Sequence, residues 1–170
     1  MDLKNFVLDV NDFPKPGILF KDVTPILNNA EAFKFTIDEI VKYAKEKKAD
    51  VIVGSEARGF IFAAPAAYAA GLRFIPARKP GKLPRPAHNQ SYELEYNDSN
   101  LSIHKDDIKP TDRVLIVDDL LATGGTVKAQ IELVKMTGAT TVGAIFLIDL
   151  IDLHGDDVFD GVEYKSILKY

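Results

Sequence analysis

The stretch Val114–Thr126, VLIVDDLLATGGT, decides the fold class and the first functional hypothesis. Its first four residues are all apolar, which is typical of a strand that is buried on both faces in a parallel sheet. Gly124 and Gly125 let the backbone curl so that successive N–H groups converge, and the helix that follows adds the positive end of its dipole. The segment therefore predicts a phosphate pocket at the end of a buried strand.

Two carboxylates stand between this strand and its glycines. Asp118 and Asp119 are acceptors suited to the neighbouring hydroxyls of a ribose, and the pair could instead hold Mg²⁺. A lone Gly-Gly after a strand would indicate only a turn and a helix cap, but the full string makes that interpretation the weaker one. No Lys follows the glycines and no G-x-G-x-x-G is present, so the segment is neither a Walker A loop nor a dinucleotide fingerprint.

Strands and helices alternate on either side of this stretch. Helices are predicted over 30–48, 59–71 and 125–137, and Gly138 ends the last of them. Short apolar strands are predicted at 50–54, 74–76, 114–117 and 141–147. This order predicts a doubly wound α/β fold with a mainly parallel sheet.

Two segments do not follow the alternation. Ser91–His104 alternates polar and apolar residues around a turn-rich Asn-Asp-Ser-Asn, which predicts an antiparallel hairpin projecting from the core. Asp12–Pro25 contains three prolines, which predict a stiff, irregular segment over one end of the sheet.

The composition narrows the class of protein. The chain has 170 residues, 46% of them hydrophobic, with no cysteine and a formal charge of -4. No apolar run approaches the ~20 residues that span a bilayer, and the N-terminus lacks the features of a secretion signal. We therefore expect a cytoplasmic protein with no membrane partner, and the acidic balance argues against nucleic-acid binding.

Two further segments carry basic residues. Gly54–Gly59, GSEARG, joins a strand to a helix and contains Arg58, but Phe60 stands where a Walker A loop needs Lys. Taken alone, this loop is as consistent with a tight turn as with an anion site. Arg78–Pro86 is either a solvated loop or a contact for a polyanionic ligand. Together with the phosphate pocket, the Gly54–Gly59 loop favours a ligand that has two phosphate groups.

The chain resembles the type I phosphoribosyltransferases, and most closely those members that use adenine. The resemblance lies in five segments: FPKPGILFKDVTP at Phe13–Pro25, GSEARGF at Gly54–Phe60, RKPGKLP at Arg78–Pro84, YELEY at Tyr92–Tyr96 and VDDLLATGGT at Val117–Thr126. It implies transfer of the 5-phosphoribosyl group from 5-phosphoribosyl-1-pyrophosphate (PRPP) to N9 of adenine, giving AMP and pyrophosphate. It also implies a Mg²⁺ requirement, with the ion carried by PRPP or pyrophosphate, and a homodimer.

The resemblance further implies one domain over residues 1–170, with an N-terminal hood at 1–28 and a flexible hairpin flap at 79–106. The ribose and its 5-phosphate would be bound by Asp118, Asp119, Ala122, Thr123, Gly124, Gly125 and Thr126. Pyrophosphate would be bound by Ser55, Glu56, Ala57, Arg58, Arg78, Lys79 and Lys82, and the Glu56–Ala57 peptide bond would be cis.

For the purine and the chemistry, the resemblance implies a second set of roles. Adenine would stack on Phe20, main-chain groups of Leu19 and Lys21 would read its edge, and Leu120 and Leu150 would close the other sides. Arg58 would act in catalysis by holding the charge of the departing pyrophosphate. Glu95 would accept the purine proton, and Tyr96 would help the flap to close.

The sequence departs from the family pattern at two flap residues, where Asn97 replaces a Gly and Ser102 replaces a Glu. A xanthine- or guanine-specific enzyme is the first alternative, and the Phe20 segment disfavours it. A nucleotide-sensing regulator is the second, and it would need a DNA-binding extension for which 170 residues leave no room.

Overall fold

The structure, a computed structural model, describes residues 1–93 and 98–170. The α-helices are α1 (Thr24–Leu27), α2 (Ala30–Glu46), α3 (Arg58–Ala70) and α4 (Gly125–Met136). The strands are β1 (Leu8–Asn11), β2 (Leu19–Asp22), β3 (Val51–Ser55), β4 (Arg73–Ala77), β5 (Ala87–Glu93), β6 (Asp98–His104), β7 (Arg113–Leu121), β8 (Thr140–Asp149) and β9 (Tyr164–Lys169). Short 3-10 helices cover Leu3–Phe6, Ile151–Leu153 and Asp156–Phe159.

Five parallel strands form the central sheet in the order β4-β3-β7-β8-β9. Alternate residues along these strands face opposite sides of the sheet. Ile52, Leu115 and Leu147 belong to a core cluster with α2 and α3, whereas Val53 and Ile116 pack on the side that α4 covers. Helices on both faces of a parallel sheet confirm the predicted doubly wound α/β fold.

The strand order reverses between β3 and β7. From β3 the chain continues to β4 on one side, and β7 then pairs with the other side of β3. In open α/β sheets, a crevice forms at such a switch point, beyond the carboxyl ends of the strands. The loops that follow β3 and β7 flank this crevice. They are the Gly54–Gly59 loop and the loop 122–126, which was predicted to bind a phosphate and is called the phosphate loop below.

β7 and β8 are longer than predicted, and the sheet contains a fifth strand that was not predicted. β7 continues to Leu121, so Asp118 and Asp119 lie within the strand and not after it, because β8 also continues and pairs with it as far as Leu121 and Asp149. β9 was not predicted from the sequence. It is an edge strand in which Leu168 is the one buried residue, so it lacks the apolar run that identified the other strands.

Helix ends follow local signals in the sequence. The side chain of Asn29 accepts a hydrogen bond from Ala32 N–H at 2.9 Å and so caps α2. Gly138 follows α4 with φ +80°, as expected of a C′ glycine.

The N-terminal segment is more regular than expected. β1 and β2 pair as an antiparallel hairpin, with Val10 opposite Phe20. The turn between them is built from Asp12, whose φ is +57°, and Gly17, whose N–H donates to Asp12 Oδ1 at 2.7 Å. The prediction of an irregular segment over Asp12–Pro25 was therefore wrong for β2. Neither strand of this hairpin contains a fully buried position, and all four residues of β1 are exposed, so the sequence shows no alternation of buried and exposed residues here.

The predicted second hairpin is confirmed as the pair β5 and β6, but it begins at Ala87, and Asp98, Ser99 and Asn100, which were predicted in its turn, belong to β6. The base of this hairpin belongs to the core. Leu101 and Ile103 of β6 are buried in a cluster that includes Leu133 and Val134 of α4. Ser102 exchanges two main-chain hydrogen bonds with Arg78, at 2.9 and 2.7 Å, which attach the hairpin to the end of β4. Among residues 1–93 and 98–170, no helix has the length and apolar character needed to cross a membrane.

Candidate active site

A cleft of about 250 Å³ opens at the switch point between β3 and β7. Residues of the two flanking loops contribute most of its surface. The predicted residues that line it are Ser55, Glu56, Ala57, Arg58, Lys79, Asp118, Asp119, Leu120, Ala122, Thr123, Gly124, Gly125 and Thr126. Two loops that are far apart in the sequence therefore form one site.

The phosphate loop turns at Gly124, the N-cap residue of α4. Gly124 has φ +86°, and a Cβ at this position would lie 2.7–2.9 Å from the atoms of the Val158 side chain. A glycine is thus required both for the conformation and for the close packing. No side chain caps the start of α4, so its first N–H groups are available to an anion.

Asp118 lies beneath the start of α3 and is 6% exposed. Its carboxylate accepts hydrogen bonds from Ser55 Oγ and from Asp119 N–H, the latter at 3.0 Å. A Cβ on Gly59 would lie 2.5 Å from Asp118 Oδ1, so only glycine allows α3 to begin this close to the carboxyl group. Burial, and next the charge of Asp119, raise the pKa of Asp118 to about 8.

The Asp119 carboxylate pairs with Arg58. Arg58 Nε lies 2.7 Å from Asp119 Oδ2, and the guanidinium carbon lies 5.1 Å from the centre of the Phe20 ring. The first distance is that of a charge-assisted hydrogen bond, and the second is that of a cation–π contact. Arg58 therefore connects the hood segment, through Phe20, to a carboxylate of the cleft.

The Glu56 carboxylate binds the basic segment Arg78–Pro86 at the rim of the cleft. It accepts from Lys79 N–H at 2.7 Å and from Arg78 Nε at 3.3 Å, and Lys82 Nζ lies 3.8 Å from its second oxygen. Burial opposes ionisation of Glu56, but the Lys79 N–H and the two cations outweigh it and hold its pKa below the ordinary value. The Glu56–Ala57 peptide bond is cis, as the resemblance implied.

Of the five residues expected to bind the purine, Leu120 lines the cleft. Leu150 lies next to the cleft, because its N–H donates to the carbonyl of Leu121, which lines the cleft, at 2.9 Å. Leu19 is 48% exposed on β2, and the Lys21 ammonium is held by Asp9 at 2.6 Å. Phe20 reaches the site through its contact with Arg58.

Four apolar residues that line the cleft were not predicted as site residues: Leu101, Leu121, Val127 and Phe146. They come from β6, β7, α4 and β8, and their apolar character is that of ordinary core residues, so no signal in the sequence distinguishes them. Glu95 and Tyr96, which were expected to act from the flap, lie outside the described residues.

Comparisons with known proteins agree with this geometry. A phosphoribosyl transferase domain matches residues 22–168. The chain is 52% identical to the adenine phosphoribosyltransferase of Mycoplasma capricolum over 170 residues, which is 100% of both chains. The crystal structure of the adenine phosphoribosyltransferase from Thermoanaerobacter pseudethanolicus superposes with a TM-score of 0.95 at 46% identity, covering 99% of this chain and 98% of that one.

A second solved structure is of the enzyme from Saccharomyces cerevisiae, complexed with D-2,5-dideoxy-2,5-imino-altritol 1,6-bisphosphate and adenine. It has a TM-score of 0.87 at 36% identity, covering 97% of this chain and 96% of that one. A switch-point cleft with a phosphate loop, two aspartates and a basic rim defines a class of phosphoribosyl-transferring enzymes, and the chain belongs to the phosphoribosyl transferase family. The relatives that match it over its full length are, more particularly, adenine phosphoribosyltransferases.

Proposed function

We propose that this chain transfers the 5-phosphoribosyl group of PRPP to N9 of adenine, releasing AMP and pyrophosphate. The observation that carries the proposal is the cleft in which the phosphate loop, Asp118, Asp119 and the Arg58 loop meet. A ligand that fits all three has a phosphate, vicinal hydroxyls and a second anionic group, as PRPP has. The adenine specificity of the relatives extends the proposal to the acceptor base.

In the proposed complex, the 5-phosphate binds the loop 122–126 and the N-terminus of α4. The uncapped N–H groups of α4 and the hydroxyls of Thr123 and Thr126 support this role. Asp119 accepts from a ribose hydroxyl after Arg58 has moved to a new partner, and Asp118 accepts from the other after Ser55 Oγ releases it. Both carboxylates thereby exchange protein donors for ligand donors.

Pyrophosphate is proposed to bind along the loop 55–58 and the basic segment that Glu56 holds. Among the described residues, no group of three or more His, Cys, Asp or Glu side chains is arranged to hold a metal ion. Mg²⁺ is proposed to be bound by the oxygens of PRPP, and Asp118 and Asp119, which line the cleft, would hold water ligands of the ion. The bound ion would neutralise part of the charge of the departing pyrophosphate.

Adenine is proposed to stack on Phe20 and to be read by the main chain of β2. Successive residues of a strand direct their N–H and C=O groups to opposite edges. Ile18 directs its carbonyl toward Phe13, at 3.2 Å on the β1 side, so the groups of Leu19 and Lys21 point to the outer edge of the hairpin. This free edge supports recognition of adenine by backbone groups, for which no acidic or amide side chain is needed.

The proposed reaction is a dissociative displacement. The bond between C1′ and the pyrophosphate oxygen breaks first, with Arg58 holding the developing negative charge. The ring oxygen stabilises the resulting cation, N9 attacks from the opposite face, and Glu95 accepts the N9 proton. The hairpin is proposed to cover the cation and exclude water, with Tyr96 assisting, and its movement must hinge outside the buried residues Leu101–His104.

A homodimer in the cytoplasm is proposed as the working state. Ile61 and Tyr68 lie about two helical turns apart and project from one face of α3. They are 39% and 90% exposed. Sedimentation of the chain and of a Tyr68→Glu variant tests this assignment, since the variant should shift toward the monomer.

The proposed activity is tested by incubating the pure chain with PRPP, Mg²⁺ and adenine and separating the products by chromatography. AMP and pyrophosphate should form in equal amounts. The Asp118→Asn/Asp119→Asn variant serves as the control, because it should fold and yet lose PRPP turnover. Absence of AMP from the unmodified chain would overturn the proposal.

A further inference from the structure

A buried polar cluster lies behind the cleft, at the end of β8. Asp149 has no solvent exposure, and its carboxylate accepts from His154 Nε2 at 2.8 Å and from Ser166 Oγ at 3.2 Å. The His154 side chain is 4% exposed. Since Asp149 receives both donors, the three side chains do not form the Ser-to-His-to-Asp relay of a hydrolase.

Aromatic rings enclose this histidine. The rings of Phe159 and Tyr164 stack on each other at 4.0 Å, and each meets His154 edge-on, at 5.9 and 6.1 Å. Phe146, which lines the cleft, contacts both rings at 6.3 Å. His154 is therefore fixed from several sides, and the rings that fix it adjoin the wall of the cleft.

The chain between these groups, the 150–159 segment, touches the cleft at both of its ends. At its start, Leu150 N–H donates to the carbonyl of Leu121, which lines the cleft. At its end, Val158 packs against Gly124, where even a Cβ would come within 2.9 Å. One end thus adjoins the proposed purine wall and the other supports the phosphate loop.

We infer that Asp149 and His154 are positioning residues that fix the 150–159 segment so that Leu150 meets adenine and Val158 supports the phosphate loop. Replacing a buried charge pair as a whole often costs little stability, whereas removing one partner is destabilising, so the positioning role is tested by ligand binding together with stability. It joins the last residue of β8 to the middle of a segment that has no regular strand or long helix of its own. The inference rests on the proposed function, which assigns AMP to this cleft.

The test compares three full-length variants, His154→Ala, His154→Gln and Ser166→Ala, with the unmodified chain. The readouts are the Kd for AMP by calorimetry, the KM for adenine and for PRPP, kcat and Tm. His154→Ala should raise the Kd for AMP and the KM for adenine about tenfold. The variant loses the hydrogen bond to the Asp149 carboxylate that fixes the 150–159 segment, so Leu150 is no longer held against adenine. Its kcat should stay within about twofold, because no reacting atom is touched.

His154→Gln keeps a side-chain N–H donor and should restore most of the affinity. Ser166→Ala is the matched control, since it removes the longer hydrogen bond to the same carboxylate and should leave both constants near those of the unmodified chain. A lower Tm with unchanged Kd and KM in His154→Ala would overturn the inference, because the link would then be merely structural.

If His154→Ala does not fold, Asp149→Leu/His154→Phe removes the hydrogen bond and the buried charge together and is measured in the same way. The inference predicts the same rise in Kd and KM for this variant, and unchanged constants would contradict it. An unmodified chain that makes no AMP would refute the proposed function. An active chain whose variants bind normally would refute only this inference.

Discussion

Arg58 Nε lies 2.7 Å from Asp119 Oδ2, so the residue assigned to pyrophosphate neutralises the residue assigned to ribose. PRPP can replace both partners at once, because its hydroxyls can donate to Asp119 while its pyrophosphate accepts from Arg58. Binding of PRPP is therefore an exchange of partners, which leaves neither charge unpaired.

This exchange predicts the effect of changing Arg58. Arg58→Ala should raise the KM for PRPP about tenfold or more and lower kcat about 100-fold, because the charge of the departing pyrophosphate loses a donor in the transition state. The kcat and the KM for PRPP of Arg58→Lys should lie between those of Arg58→Ala and those of the unmodified enzyme. Lys keeps the positive charge but cannot donate two parallel hydrogen bonds. Steady-state kinetics with varied PRPP measures both constants.

Lys34→Ala is a suitable control for the loss of a cation. Lys34 is 74% exposed and pairs with Asp38 on the surface of α2, so its removal should leave the kinetics unchanged. If Arg58→Ala also behaved like the unmodified enzyme, Arg58 would have no part in binding PRPP.

The raised pKa of Asp118 predicts how stability varies with pH. The carboxyl has a pKa of about 8 in the folded chain, and in the unfolded chain the value is about 3.9, so folding takes up a proton between these two values. The stability contributed by this group is complete below the unfolded pKa and is lost as the pH rises through the folded one. Asp118→Asn, which stays neutral, should therefore raise Tm by about 3 °C or more at pH 9. The difference should shrink as the pH falls toward 5.

Glu56 provides a control of opposite sign. Its pKa is lowered in the folded chain, so its contribution is present above the unfolded pKa and is lost as the pH falls through the folded value. Glu56→Gln should lower Tm at pH 7, and the loss should disappear in acid. Thermal scans of both variants between pH 4 and pH 9 make the comparison. A Tm difference for Asp118→Asn that did not grow with pH would show that the Asp118 carboxyl is ionised in the folded state.

The assignment of Phe20 predicts a selective loss of affinity for the base. Phe20→Ala should raise the KM for adenine about tenfold or more, since stacking on an aromatic ring contributes about 1–3 kcal/mol per base. The KM for PRPP should change less. Phe13→Ala is the matched control, because Phe13 meets the Phe20 ring edge-on at 5.0 Å without contacting Arg58 in the same way. Equal effects of the two variants would mean that Phe20 acts only by packing the hood.

The packing of Gly124 against Val158 predicts that Gly124→Ala weakens binding of the 5-phosphate. Gly71→Ala is the matched control, since Gly71 also has positive φ, +68°, but a Cβ there would meet nothing within 4 Å. Both variants should lose about 1 kcal/mol of stability from backbone strain. Gly124→Ala should lose more than Gly71→Ala, because its Cβ would also clash with the Val158 side chain. Only Gly124→Ala should also raise the Kd for AMP measured by calorimetry, and unchanged affinity would contradict the role of this loop.

Local signals explain which parts of the fold could be predicted. β7, α4 and the turn between them were predicted because an apolar run, two glycines and helical periodicity lie within a few residues of one another. β1 and β9 were not, because each is defined by its partner strand. The four residues of β1 are all exposed, and in β9 only Leu168 is buried.

The candidate site shows the same division. The loop at 118–126 was predicted from its own composition. The loop at 55–58 was predicted chiefly from the resemblance to a family. The pairing of Arg58 with Asp119, the hold of Glu56 on the basic segment and the wall formed by Phe146 were not predicted. These contacts join residues from different strands and loops, so no spacing in the sequence encodes them.

The most direct test of the account is a competition among acceptor bases. The pure chain is given Mg²⁺, limiting PRPP and equal concentrations of adenine, hypoxanthine, guanine and xanthine, and the nucleotides formed are separated by chromatography. AMP should form in at least about 100-fold excess over the other three nucleotides, because the main chain of β2 would leave its polar groups unpaired against a 6-oxopurine. Comparable yields of the four nucleotides, or a predominance of GMP or XMP, would contradict it.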